Sequence, residues 1–284
     1  MAGLLATRNF LSVRAPVMRV RVAGVHGSAP RAEGAAMYVT ATGACGTIGG
    51  GRLEFDAIQR ARNLLADGVR RDTAEVKLGP DTGQCCGGRV RLDLDLLDEA
   101  LRDRILSRLD ARARARPRVH ILGAGHVGRA LADAVQFLPL NAVLIDTRTE
   151  ELARCRAGVE TRLSALPEAE IAAARPGDGF VVLTHDHGLD FLLAGAALAR
   201  ADAGYVGMIG SASKRARFRN WCAGPGGGVS PDGLTCPIGA GVTGDKRPAV
   251  IAACVAAELA AALLPGDAGR QEAGADKDTD LEYQ

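Results

Sequence analysis

Residues 17–25 and 35–41 alternate apolar and polar positions with the period of two expected of half-buried strands. Gly27-Ser28-Ala29-Pro30-Arg31 between them is a turn signature. The period then changes: Leu53, Ala57, Ile58, Ala61, Leu64 and Leu65 share one face of a helix that Gly68 is placed to stop. Val76–Leu78 and Val90–Leu94 read as half-exposed strands, and a charged helix follows to about Arg112. Residues 1–112 thus predict a small mixed α+β domain, and the arginine-rich stretch at 113–117 a solvated linker. From Arg118 short apolar runs alternate with helical stretches: Val119–Leu122, Val143–Ile145, Phe180–Leu183 and Tyr205–Ile209. That alternation predicts a doubly wound parallel sheet over 118–265. Pro248–Leu264 is almost wholly apolar around Glu258 and too short to span a bilayer, so it predicts a buried helix, with a homodimer contact as a further expectation. Residues 266–284 are polar and acidic and predict a disordered tail.

Composition narrows the partners. The 284 residues carry a formal net charge of only +2, which gives no reason to expect nucleic acid or a general membrane surface. The cysteines are odd in number, seven, and irregularly spaced, and Arg8 and Arg14 interrupt any N-terminal apolar run. A reduced cytoplasm is the expected setting, with any special cysteine there for chemistry.

Candidate chemistry gathers in a few strings. Gly123-Ala124-Gly125-His126-Val127-Gly128 follows a strand and opens a helix. Gly123 suits the tight turn, Gly125 a close approach to phosphate, and Gly128 tight packing of helix on strand. Asp146 ends the next strand, where an acidic side chain bonds a ribose hydroxyl. The second half is therefore expected to be a Rossmann-type domain. Gly207–Arg215 is a second candidate anion site, where Ser211 or Ser213 can cap a helix and Lys214, Arg215 or Arg217 can face a phosphate. Thr184-His185-Asp186-His187 falls at the carboxyl end of a strand, where ligands bind in open sheets. In the first half, Gln84-Cys85-Cys86 lies among glycines, a setting for an exposed thiol able to meet a soft metal or accept sulfur. The Gly-rich bend at Gly43–Glu54 says that backbone must come close to something.

Together with Tyr205–Ser211 and Cys236-Pro237-Ile238-Gly239, these ordered strings resemble the xanthine dehydrogenase accessory protein family, the XdhC type, over about residues 17–264. One departure is Pro248-Ala249-Val250, where the family tends to carry acidic residues. The resemblance implies a non-catalytic chaperone for molybdenum cofactor (molybdopterin). It would hold the cofactor while a cysteine desulfurase supplies sulfur, then deliver it to a xanthine dehydrogenase-type molybdenum hydroxylase. On that reading Cys85 or Cys86 meets the metal and Gln84 lies beside it. The phosphate docks on Gly123, Gly125, His126 and Gly128 or on Ser211 and Lys214, with Asp146 and His185 near the cofactor. The competing readings are an NAD(P)-dependent oxidoreductase and a nucleotide sensor within a regulatory complex.

Overall fold

The computed structural model describes residues 2–79, 87–224, 227–241 and 244–264. The expected contacts of Gln84, Cys85 and Cys86, and the expected disorder of 266–284, lie outside the described residues. The chain divides into two compact units, one running from Ala2 to Arg114 and the other beginning at Ala115.

The first unit contains α1 (Ala2–Ser12), β1 (Met18–His26), β2 (Ala36–Val39), β3 (Ala44–Gly46), α2 (Gly51–Ala66), β4 (Arg71–Lys77), β5 (Arg89–Leu96) and α3 (Glu99–Ala115). Its five strands form an antiparallel sheet in the order β3-β2-β1-β5-β4. Met18, Val20 and Val22 alternate with Arg19 and Arg21 along β1, and the apolar set packs with Leu53, Ala57 and Ala61 of α2. On the opposite face Tyr38 is buried with Leu11 of α1 and Ile105 and Leu109 of α3. Arg102 fastens α1, donating to the carbonyls of Leu11, Val13 and Ala15 at 2.7–2.8 Å. Gly68, at φ 71°, follows the end of α2 where a left-handed residue is wanted. The arginine-rich stretch differs from its expected linker form. Its alternating alanines and arginines are good helix formers, so α3 continues to Ala115 and stops just before Pro117.

The second unit contains β6 (Arg118–Leu122), α4 (His126–Val135), β7 (Asn141–Asp146), α5 (Thr149–Leu152), β8 (Glu160–Leu163), α6 (Pro167–Ala172), β9 (Gly179–Val182), α7 (His187–Ala199), β10 (Tyr205–Met208), α8 (Ala212–Ala223), β11 (Leu234–Thr235) and α9 (Pro248–Leu263). The strands are all parallel, in the order β11-β10-β9-β6-β7-β8. Counted within the unit this is 3-2-1-4-5-6 from the β8 edge, the doubly wound Rossmann order, with its switch point between β6 and β9. Helices cover both faces, so β9 and β10 are buried at every position. On one side Leu131, Ala132 and Val135 of α4 and Val255, Leu259 and Leu263 of α9 pack on Val119, Ile121, Leu144 and Val181. On the other, Ile171, Leu193, Ala197 and Phe218 pack on Leu122, Val143, Phe180 and Val182. The one charge within α9, Glu258, accepts from the Tyr205 hydroxyl at 2.7 Å and the Gly239 N–H at 2.9 Å. Among the described residues no helix is long and apolar enough to cross a membrane.

Candidate functional site

The switch point is built around the glycine loop after β6. Gly123 adopts φ 124° and its N–H donates to the Ile145 carbonyl at 2.8 Å. A Cβ there would stand 2.4 Å from the Leu183 carbonyl oxygen, so the loop lies directly against the end of β9. At Gly128 a Cβ would meet the Gly123 oxygen at 1.9 Å, which presses the first turn of α4 onto the loop. Gly125 is different: it is the N-cap of α4, and a Cβ there would meet nothing within 4 Å. No side chain caps this helix, and His126 at its start is exposed. The α4 N-terminus therefore presents N–H groups and the positive end of a helix dipole to open space.

Asp146 lies beside the loop, but its carboxylate is turned inward. Oδ2 accepts from the Ala124 N–H at 2.6 Å and from Arg148 Nη2 at 2.9 Å. Oδ1 accepts from the Arg148 N–H and Nε, both at 2.9 Å. Burial pushes this carboxyl upward, but the Arg148 pair and the two backbone donors outweigh it and hold it below the ordinary carboxylate range. A ribose hydroxyl would have to displace one of these donors. Asp146 as it stands positions the glycine loop.

A narrow crevice opens between these elements, lined in part by Gly123, Asp146, Thr147, Thr184 and His185. His185 is exposed at its rim. Asp186 caps α7, accepting from the N–H groups of Leu189 at 3.1 Å and Gly188 at 2.6 Å, which hold its carboxyl below the usual range. Asp190, fully buried in the first turn of α7, accepts from the Thr184 N–H at 2.9 Å and hydroxyl at 2.7 Å and fixes this loop.

Asp190 also overturns the expectation for Lys214. That lysine is buried and ion-paired with Asp190, so it faces a carboxylate of the protein and not a phosphate. A lysine in a low-dielectric interior needs such a counter-charge. Ser211 caps α8 by accepting from the Lys214 N–H at 3.2 Å, so this helix start is filled from within. A Cβ on Gly210 would touch both Lys214 and the Cys236 sulfur, which places that thiol beside the pair. Burial pushes the Cys236 thiol up, against the pull of Lys214 and Arg215.

Comparison with known proteins matches residues 119–259 to the XdhC Rossmann domain and residues 11–77 to the XdhC and CoxI family. The chain belongs to the XdhC family. A crystal structure from Bacillus halodurans described as a xanthine dehydrogenase shares the fold, with a TM-score of 0.75 over 97% of this chain and 99% of that one at 18% identity. The uncharacterized protein YqeB of Escherichia coli (strain K12) is 29% identical over 141 residues, 48% of this chain. This chain spans about a quarter of that relative's length, 23%.

In this XdhC chain the glycine strings of the first unit meet at one place. A Cβ on Gly49 would stand 2.4 Å from Pro30 Cγ, and one on Gly88 would stand 2.2 Å from the Ser28 carbonyl oxygen. Gly88 thus packs against the turn after β1. The approach foreseen at Gly43–Glu54 is to the protein's own helix. Glu54 Oε1 accepts from the N–H groups of Ile48 at 2.9 Å, Gly49 at 3.1 Å and Gly50 at 2.7 Å, and from the Thr47 hydroxyl. Burial raises the Glu54 carboxyl, and these donors bring it below its ordinary range. Sequence reading missed Asp190; its one signal was a carboxylate followed at once by Phe191-Leu192-Leu193 in an apolar helix.

Proposed function

We propose that this protein is a non-catalytic cytoplasmic maturation factor that holds molybdenum cofactor while a cysteine desulfurase supplies its sulfido ligand. It then passes the cofactor to a xanthine dehydrogenase-type molybdenum hydroxylase. The observation that carries this reading is the α4 N-terminus: it sits at the sheet's switch point, no side chain caps it, and the space at Gly125 is open. A terminal phosphate fits that chemistry, since unsatisfied N–H groups and the helix dipole both favour an anion. Gly123 and Gly128 shape the loop, Asp146 fixes it, and His126 and His185 flank the opening.

When bound, the cofactor supplies a molybdenum centre able to take up sulfur. The protein's part is to bind, orient and shield. The metal end is assigned to Cys85 and Cys86, as the family resemblance implies. Their glycine-flanked sequence, with Gln84 beside it, supports a thiol close to a soft metal. The inward engagement of Asp146 favours the cofactor reading over one that needs a ribose ligand.

The test is retention. The chain is loaded anaerobically with molybdenum cofactor, freed of unbound material, and assayed for molybdenum and oxidised pterin, with NAD(P) run in parallel. Stoichiometric pterin and molybdenum are expected. Gly125→Asp should lower both, and Cys85→Ala/Cys86→Ala should lower molybdenum. Retention of NAD(P) with no pterin would overturn the reading in favour of a dinucleotide enzyme.

A further inference from the structure

The sheet of the first unit has one apolar face under α2 and a second face whose chemistry the cofactor reading does not use. Arg19 and Arg21 project to that second face, alternating with the buried apolar residues of β1. Across the strands Arg19 stands opposite Asp95, and Asp95 opposite Arg71. Asp95 is buried and accepts from Arg19 Nη2 at 3.1 Å and Arg71 Nε at 2.8 Å. Arg21 pairs with Asp93 at 3.3 Å. Arg70 adds a further guanidinium just before β4, and Arg104 and Arg108 stand one turn apart on α3.

Together with Asp95, Asp98 and two leucines these six arginines line a groove of about 460 Å³. Six guanidiniums line the groove against two carboxylates, in a chain whose formal net charge is +2. A sheet face that merely meets water balances its charges by cross-strand pairs. Here one aspartate answers two arginines, and among the described residues Arg70 and Arg104 have no carboxylate at ion-pair distance. Asp98 is already engaged, accepting from the Leu101 N–H at 2.7 Å at the start of α3. The Nε of Arg21 is buried without an acceptor.

We propose that this groove binds a compact, multiply charged oxyanion, with pyrophosphate as the simplest member of its class. Every cation lining it is an arginine, whose planar fork matches phosphate oxygens two at a time. Density of charge decides between a phosphate cluster and an acidic protein surface. Arg19 and Arg71 reach the two oxygens of one carboxylate, so their charges crowd into a space that clustered phosphate oxygens match. Carboxylates along an acidic helix stand about 5–6 Å apart and match it less well. The groove is built wholly from residues of the first unit and does not depend on that reading.

Inorganic pyrophosphate is titrated calorimetrically into the full chain, into Gly125→Asp, and into Gly125→Asp carrying Arg104→Gln and Arg108→Gln. Gly125→Asp places a carboxylate at the other anion site, in open space, and so isolates the groove. Saturable binding should persist in Gly125→Asp, weaken with added salt, and fall at least tenfold on adding the two glutamines, with circular dichroism unchanged. Loss of binding in Gly125→Asp alone would overturn the proposal, as would unchanged affinity in the arginine variant. Saturable binding of a poly-glutamate peptide without binding of pyrophosphate would also overturn it, assigning the groove to an acidic protein surface.

Discussion

Replacing Lys214 by methionine removes the cation and keeps most of the side-chain volume. Asp190 would be left with no exposed surface and two hydrogen bonds from Thr184, its charge unanswered. Breaking one side of a buried pair typically costs about 3–5 kcal/mol, because the remaining charge can neither reach water nor find a partner. With a urea slope of about 2 kcal/mol per molar for a unit of this size, the unfolding midpoint should fall by roughly 2 M. The chain supplies its own probe: its single tryptophan, Trp221, lies on α8 with its ring centroid 5.7 Å from that of Phe218, so its fluorescence reports on the second unit alone. Adding Asp190→Asn should recover part of the loss, since the amide still accepts from Thr184 while its spare N–H costs only about 1–3 kcal/mol. The cycle through both single variants should therefore give a coupling of at least about 2 kcal/mol. A Lys214→Met protein within about 1 kcal/mol of the parent, or a double variant less stable than Lys214→Met, would refute the account of Lys214 as a structural counter-ion.

The glycine loop can be dissected in the same assay. Gly128→Ala should abolish the folded second unit or cost several kcal/mol, because its Cβ would lie 1.9 Å from a backbone oxygen that a side-chain shift cannot move. Gly125→Ala should stay within about 1 kcal/mol in urea, given open space and φ −65°, while retention of cofactor falls. The Asp146 carboxyl sits below its unfolded value, so its contribution is present above the ordinary carboxylate range and is lost as pH falls through the folded value. Asp146→Asn should accordingly flatten the acid limb of the stability–pH curve and lower stability at pH 7, and an unchanged acid limb would remove that role. Glu54→Ala should cost about 1–3 kcal/mol by leaving the Ile48–Gly50 N–H groups without their acceptor, read from the far-ultraviolet circular dichroism of unfolding.

Much of the fold was legible because backbone periodicity states it directly. The buried strands of the second unit read as short continuous apolar runs, and the loop after β6 carried glycines at 123 and 128, the two positions where the backbone geometry needs them. The short edge elements were missed for the converse reason. β3 is three residues long, and β8 reads Glu160-Thr161-Arg162-Leu163, too polar and too brief to show a period. The direction in which a charged side chain turns was less legible still. The type and position of Lys214 suit a phosphate equally well whether it faces the crevice or the core. The choice falls to Asp190, a partner 24 residues away that no local pattern announces.

That failure has a single physical form in this molecule. Each place where sequence suggested an external anion or ligand, and where the structure disagrees, is filled by a carboxylate or hydroxyl of the protein itself. Glu54 occupies the nest of N–H groups at Ile48–Gly50, Asp190 answers Lys214, Ser211 caps α8, and the Asp146 oxygens that a ribose hydroxyl would meet are taken by the Ala124 N–H and Arg148. An internal anion costs less ordering entropy than a captured one, so a fold fills such places with its own residues wherever stability is the only demand. By that reasoning the positions left unfilled carry the functional information. Two such places among the described residues are the α4 N-terminus, with no capping side chain and empty space at Gly125, and the arginine groove, where six guanidiniums meet two lining carboxylates. Each keeps a cost of exposed donors or self-repulsion that a single Asp or Glu would relieve, and binding of an anion from outside removes that cost in both.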